Sequence, residues 1–95
     1  MDLNTPRIVL IGAPTDVGAG ERGASMGPEA LRVAGLVEAL RGQGAEVRDG
    51  GNLSGPPNPC QPPVGGFRHL PEVVAWNRSV HDAVYSALQA GQLPI

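Results

Sequence analysis

The chain has 95 residues, a formal net charge of −2, and 41% hydrophobic but only 3% aromatic residues, which suits one small domain, or part of a larger one, with a core of Val, Leu, Ile and Ala. All seven basic residues are arginines scattered from Arg7 to Arg78, so the clustered positive charge of a nucleic-acid or anionic-membrane binder is missing. The lone Cys60 cannot form an internal disulfide, and Met1-Asp2-Leu3-Asn4 lacks both the basic and the apolar part of a signal peptide, so the expected location is the cytoplasm.

Arg7 to Gly12 is a short β-branched apolar run bounded by Pro6, which predicts a strand over residues 7–12 buried on both faces, as in a parallel sheet. Gly12, Gly18, Gly20, Gly23 and Gly27, with Pro14, Thr15 and Asp16 among them, make residues 12–27 a loop. Pro28 suits the first position of a helix, and Glu29 complements the positive end of its dipole. Val33, Leu36, Val37 and Leu40 recur at helical spacing, and Gly42 or Gly44 offers a stop, so one helix is predicted over residues 28–41. Ala45 to Asp49 alternates weakly and reads as a second strand nearer a sheet edge. Residues 50–70 form a long Pro- and Gly-rich connection, of the kind that is functional or disordered. A second helix over residues 71–90 follows Pro71, with Val73, Val80, Val84, Ala87 and Leu88 as its apolar face and Trp76 beside it. Gln92 to Ile95 starts a third strand. This β-α-β-α-β order predicts an α/β fold with a parallel sheet. Two strands and a stub leave edges and faces needing cover, so the sheet reads as incomplete.

Three features invite a functional reading. Gly18-Ala19-Gly20-Glu21-Arg22-Gly23 spells the G-x-G-x-x-G of dinucleotide sites, and Asp49 ends the second strand where a ribose-binding acid would stand. Six residues separate the motif from Ile11, four more separate it from Pro28, and Glu21 adds negative charge, so the phosphate geometry is wrong; the absence of lysine excludes a P-loop. His69 in the connection and His81 on the second helix fit no metal-ligand spacing and read as solvent-exposed. Cys60 has no basic neighbour in sequence to activate it as a nucleophile.

The glycine-rich segment is more informative when read at full length. Gly12-Ala13-Pro14, Asp16-x-Gly18, Arg22-Gly23, Met26-Gly27-Pro28, Ala30-Leu31-Arg32 and Ala34-Gly35-Leu36 stand in one register, and together they resemble the opening of arginases. Agmatinases resemble it too but carry an R-P-G-A version of the arginine element, and Arg22-Gly23-Ala24-Ser25-Met26 fits arginase better. The resemblance continues through Glu46 to Leu53, with Gly51-Asn52 where the family often has Gly-Asp, and through the second helix to Leu93-Pro94-Ile95.

The resemblance implies a three-layer α/β/α arginase-like fold, of which residues 1–95 are the N-terminal part. It also implies a family activity: hydrolysis of L-arginine to L-ornithine and urea by a hydroxide bridging two manganese ions, held by G-G-D-H, D-x-H-x-D and D-x-D motifs. None of those motifs occurs in the 95 residues. No catalytic, cofactor-binding or metal-ligating residue is therefore carried over, and the chain alone is expected to bind no manganese specifically and to be inactive. Arg22 and Glu29 are expected to pin the glycine-rich segment or a neighbouring subunit. Two readings stay open: a truncated or split arginase, completed by its missing part or by homo-oligomerisation, and a free-standing, non-catalytic binding or assembly module. On either, exposed edges predict marginal stability, association, and greatest mobility in residues 50–70.

Overall fold

The computed structural model describes residues 5–95. Strand β1 (Arg7–Gly12) leads through a long loop and a single 3-10 turn (Ala24–Met26) into helices α1 (Gly27–Val33) and α2 (Leu36–Gly42). Strand β2 (Glu46–Asn52), the proline-rich connection, helix α3 (Leu70–Gln89) and strand β3 (Leu93–Pro94) follow. The three strands form one parallel sheet in the order β2-β1-β3, so the most apolar strand lies in the middle. Residues 93–94 pair with Ile8 and Val9, and Ile95 exchanges backbone hydrogen bonds of 2.8 and 3.0 Å with Ile11 and Val9.

The alternation of side chains along β1 sorts the layers. Ile8 and Leu10 point to one face and form a buried cluster with Val47, covered by Leu36, Val37, Leu40 and Ala45. Val9 and Ile11 point to the other face, where they border one cleft together with Ala83 and Ala87 of α3. Helices thus cover both faces of a parallel sheet, the partial α/β layering expected from the sequence. β2 is an edge strand, as its weaker pattern predicts.

Four local expectations need correction. The helix predicted over 28–41 is broken at Ala34-Gly35, because Gly35 adopts a left-handed conformation with φ of 93° and ends the first segment. The break rotates Val33 out of the predicted stripe, leaving it 81% exposed while Leu36, Val37 and Leu40 pack inward. The second strand runs on to Asn52 rather than ending at Asp49. It does so through a bulge: Leu10 pairs with Asp49 but Gly12 with Asn52, and Gly51 absorbs the extra residue at φ 80°. On α3, Trp76 and Ala87 are the buried residues, whereas Leu88 is 58% exposed; the aromatic ring is central to the packed face, not beside it.

Candidate functional site

In open parallel α/β sheets, ligand sites form beyond the carboxyl ends of the strands. Here that end of β1 opens into the glycine-rich loop and that of β2 into the proline-rich connection, and the two loops meet. Asp16 is the hub. Only 7% of the residue is exposed; its Oδ1 accepts a hydrogen bond from Asn58 Nδ2 at 2.9 Å and its Oδ2 one from the Gly23 N–H at 3.3 Å. Arg22 Nε stands 4.0 Å from Oδ2. These donors, Asn58 first, then Gly23 and the Arg22 charge, hold the Asp16 carboxyl below the usual aspartate value against the opposing effect of burial.

Asn58 works at both ends of its amide. While Nδ2 donates to Asp16, Oδ1 accepts the Cys60 N–H at 2.8 Å, an Asx turn that holds Cys60 at φ 54°. Two further contacts fix the connection. Trp76 Nε1–H donates to the Pro56 carbonyl at 2.9 Å, and the indole lies so close to Gly55 that a Cβ there would stand 2.5 Å from the ring. His69, at the start of α3 with φ 50°, places Nδ1 2.7 Å from the Val17 carbonyl and Nε2 3.0 Å from both the N and O of Gln61. A carbonyl only accepts, so Nδ1 carries the proton that bonds Val17. His69 is therefore a half-buried tie between two loops, not the exposed histidine read from the sequence. His81 is exposed as expected, beside Asp82 at 3.2 Å and stacked on Tyr85.

The loops enclose an open cleft of about 400 Å³ bordered by Thr15, Asp16, Arg22, Ser25, Asn58 and Trp76. A second polar cluster lies on the α1 side. Arg32 donates from Nε and Nη2 to the two oxygens of Asp49 at 2.8 and 3.2 Å, and from Nη1 to Asn52 Oδ1 at 2.7 Å. Glu29 approaches the same guanidinium at 3.7 Å. Hydrogen bonding from Arg32 and from the Gly51 N–H holds the Asp49 carboxyl below its usual value. Asp49 is thus committed to Arg32 and is not presented to a ribose. Asn52 belongs to this clamp.

Of the residues singled out from sequence, Arg22 pairs loosely with Asp16 and Glu29 with Arg32, both within the chain. Cys60 is exposed. The glycine motif from Gly18 to Gly23 lies on the exposed outer part of its loop, ahead of the 3-10 turn and away from the start of α1 at Gly27. Sequence reasoning passed over Asp16, Asn58 and Trp76 as a set. The Asn-Pro-Cys triplet was the one available signal, since asparagine before proline favours a turn. Among the described residues, no group of three or more His, Cys, Asp or Glu side chains is placed to hold a metal. The residues present do not fit a two-manganese centre.

A parallel sheet flanked by helices, with its loops gathered at the carboxyl ends, defines a partial α/β scaffold. The comparisons name the family. The arginase family model matches residues 6–95, and the chain belongs to the arginase family. The arginase of Brucella melitensis is 38% identical over 77 residues, an alignment covering 80% of this chain and 25% of that protein. A crystal structure of Bacillus subtilis arginase is 31% identical with a TM-score of 0.76, over 93% of this chain and 29% of that one. The Bacillus cereus arginase structure is 28% identical with a TM-score of 0.76, over 95% and 29% respectively. The chain spans about a quarter of the length of the Brucella arginases, and it corresponds to the N-terminal part of an arginase.

Proposed function

We propose that this chain is the scaffold-forming N-terminal portion of a manganese-dependent arginase, and that the 95 residues by themselves do not hydrolyse arginine. The observation that carries the reading is the family match over residues 6–95. It is supported by the absence from these 95 residues of the metal-ligand motifs that the family resemblance implies. On this reading the segment contributes the central strand β1, its two neighbours, and the loop wall at their carboxyl ends. Segments outside it contribute the metal ligands and the groups that bind L-arginine. No catalytic step is assigned to Asp16, His69 or Arg32, whose hydrogen-bonding capacity is directed to other parts of the chain.

The same reading makes the working protein a cytoplasmic assembly, completed by the remainder of an arginase or by further copies. No helix among the described residues is long and apolar enough to cross a membrane. Leu93 on β3 and Ile95 just after it are 52% and 54% exposed, and Leu31, which borders one cleft with Ile95, is 54% exposed. Such apolar surface next to a free strand edge favours association. The test is urea release from L-arginine by the purified chain in excess manganese at alkaline pH, with light scattering in parallel. No turnover is expected; turnover that follows this chain through purification would overturn the proposal.

A further inference from the structure

The proline-rich connection is fastened at three places, and only one of the fastenings carries a charge. Pro56 is held through its carbonyl by Trp76, Gln61 through its backbone by His69, and Asn58 through its side chain by the Asp16 carboxylate. We propose that residues 53–69 form a strap across the carboxyl-end face of the sheet, latched by ionised Asp16, and that a proton on this carboxylate frees the strap while the sheet stays folded.

The geometry makes the latch specific. Asn58 Nδ2 can only donate, so it needs an acceptor at Oδ1, and the Gly23 N–H needs one at Oδ2. The ionised carboxylate offers acceptors on both sides; a protonated one gives up acceptor capacity and the charge that strengthens both bonds. The charged groups bordering the cleft are Asp16 itself and Arg22 from the glycine-rich loop, whereas the strap brings neutral Asn58 and α3 brings neutral Trp76. The Asp16 carboxyl is held below its usual value. Its contribution is therefore complete above the ordinary aspartate value and is lost as pH falls through the lowered one.

His69 does not gate the strap. With Nε2 unprotonated the ring accepts the Gln61 N–H, and with Nε2 protonated it donates to the Gln61 carbonyl; both atoms stand at 3.0 Å. The Nδ1–H bond to Val17 is made in either state. The sheet is fastened separately, through β1 pairing and through Leu53 N–H to the Gly12 carbonyl at 2.8 Å.

The experiment follows the whole 95-residue chain by residue-resolved amide exchange and by the emission of Trp76, its single tryptophan, from neutral pH into acid. The amides of Gly23 and Cys60 report the latch, and those of Ile8 to Ile11 report the sheet. In the unmodified chain the latch amides are expected to gain about tenfold in opening, roughly one net hydrogen bond, at a pH where β1 is still protected. Asn58→Asp keeps the shape but sets two carboxylates face to face, so its strap should be open at neutral pH and close on mild acidification, the reverse order. Asn58→Ala should leave the strap open at every pH. Loss of strap and sheet protection in one step, or an Asn58→Asp chain that opens with acid as the unmodified chain does, overturns the proposal.

Discussion

The two sides of this small molecule are held together by different means. Below the strands, Ile8, Leu10 and Val47 form an apolar cluster closed over by Leu36, Val37 and Leu40. At the carboxyl ends, the glycine- and proline-rich segments bury few aliphatic side chains and are fixed instead by Asp16, Asn58, His69 and Trp76. Apolar packing is insensitive to the charge on any one group and is distributed over many contacts. The polar fastening is directional, and each missing partner leaves a donor or acceptor bare. One side sets whether the sheet exists; the other sets where its loops lie.

The largest expected effect is on the packed side. Leu10 is 5% exposed in the centre of the cluster, so Leu10→Ala should cost about 3 kcal/mol through lost burial and a cavity. Urea denaturation followed by circular dichroism measures it. A change below about 1 kcal/mol would show that the cluster is loosely packed and the comparison overstated.

Next comes the contact between the two sides. A Cβ on Gly55 would stand 2.5 Å from the indole of Trp76, so the strap or the ring must move. Gly55→Ala should cost about 1–3 kcal/mol and weaken the near-ultraviolet signal of Trp76 while leaving the far-ultraviolet helix signal intact. Equal loss of both signals would mean that the loops and sheet are one cooperative unit.

His69→Ala removes the bonds to Val17 and Gln61 and should cost about 1–2 kcal/mol, read as faster exchange at Gln61 with β1 unchanged. Acidification should act in the same direction on the clamp at the end of β2. Asp49 has its carboxyl lowered chiefly by Arg32, so its contribution is full above the ordinary aspartate value and fades as pH drops through the lowered one. Asp49→Asn should remove that part of the acid sensitivity, visible as a flatter dependence of melting temperature on pH; an unchanged slope would assign the sensitivity to other carboxylates.

The smallest effect is the most discriminating for the helix break. Val33 belongs to the same sequence stripe as Leu36 and yet is 81% exposed, so Val33→Ala should change stability by less than about 0.5 kcal/mol. A cost near that of a core residue would show that α1 and α2 pack as the single helix expected from periodicity, or that Val33 is covered by association of the chain.

The alternation of elements, the parallel sheet and the family resemblance were legible because each rests on local signals: an unbroken, mostly β-branched apolar run from Ile8 to Ile11, proline at the two helix starts, and motifs contiguous from Gly12 to Leu36. Periodicity located the aliphatic face of α2 for the same reason. It failed at Val33, since a hydrophobic pattern carries no record of the turn that one glycine at φ 93° makes.

By itself the sequence determined which segments are strands and helices and which family the chain resembles, because hydrophobic period, proline and glycine act over a few residues. Only the tertiary structure decided that Asp16 meets Asn58 across 42 positions, that His69 reaches Val17 across 52, and that Arg32 closes on Asp49 and Asn52. Those partners are set by the parallel pairing of β1 and β2, which brings the loops after both strands to the same end of the sheet. A hydrogen bond between residues so far apart has no local signature; it exists because the β1–β2 pairing sets its two ends side by side.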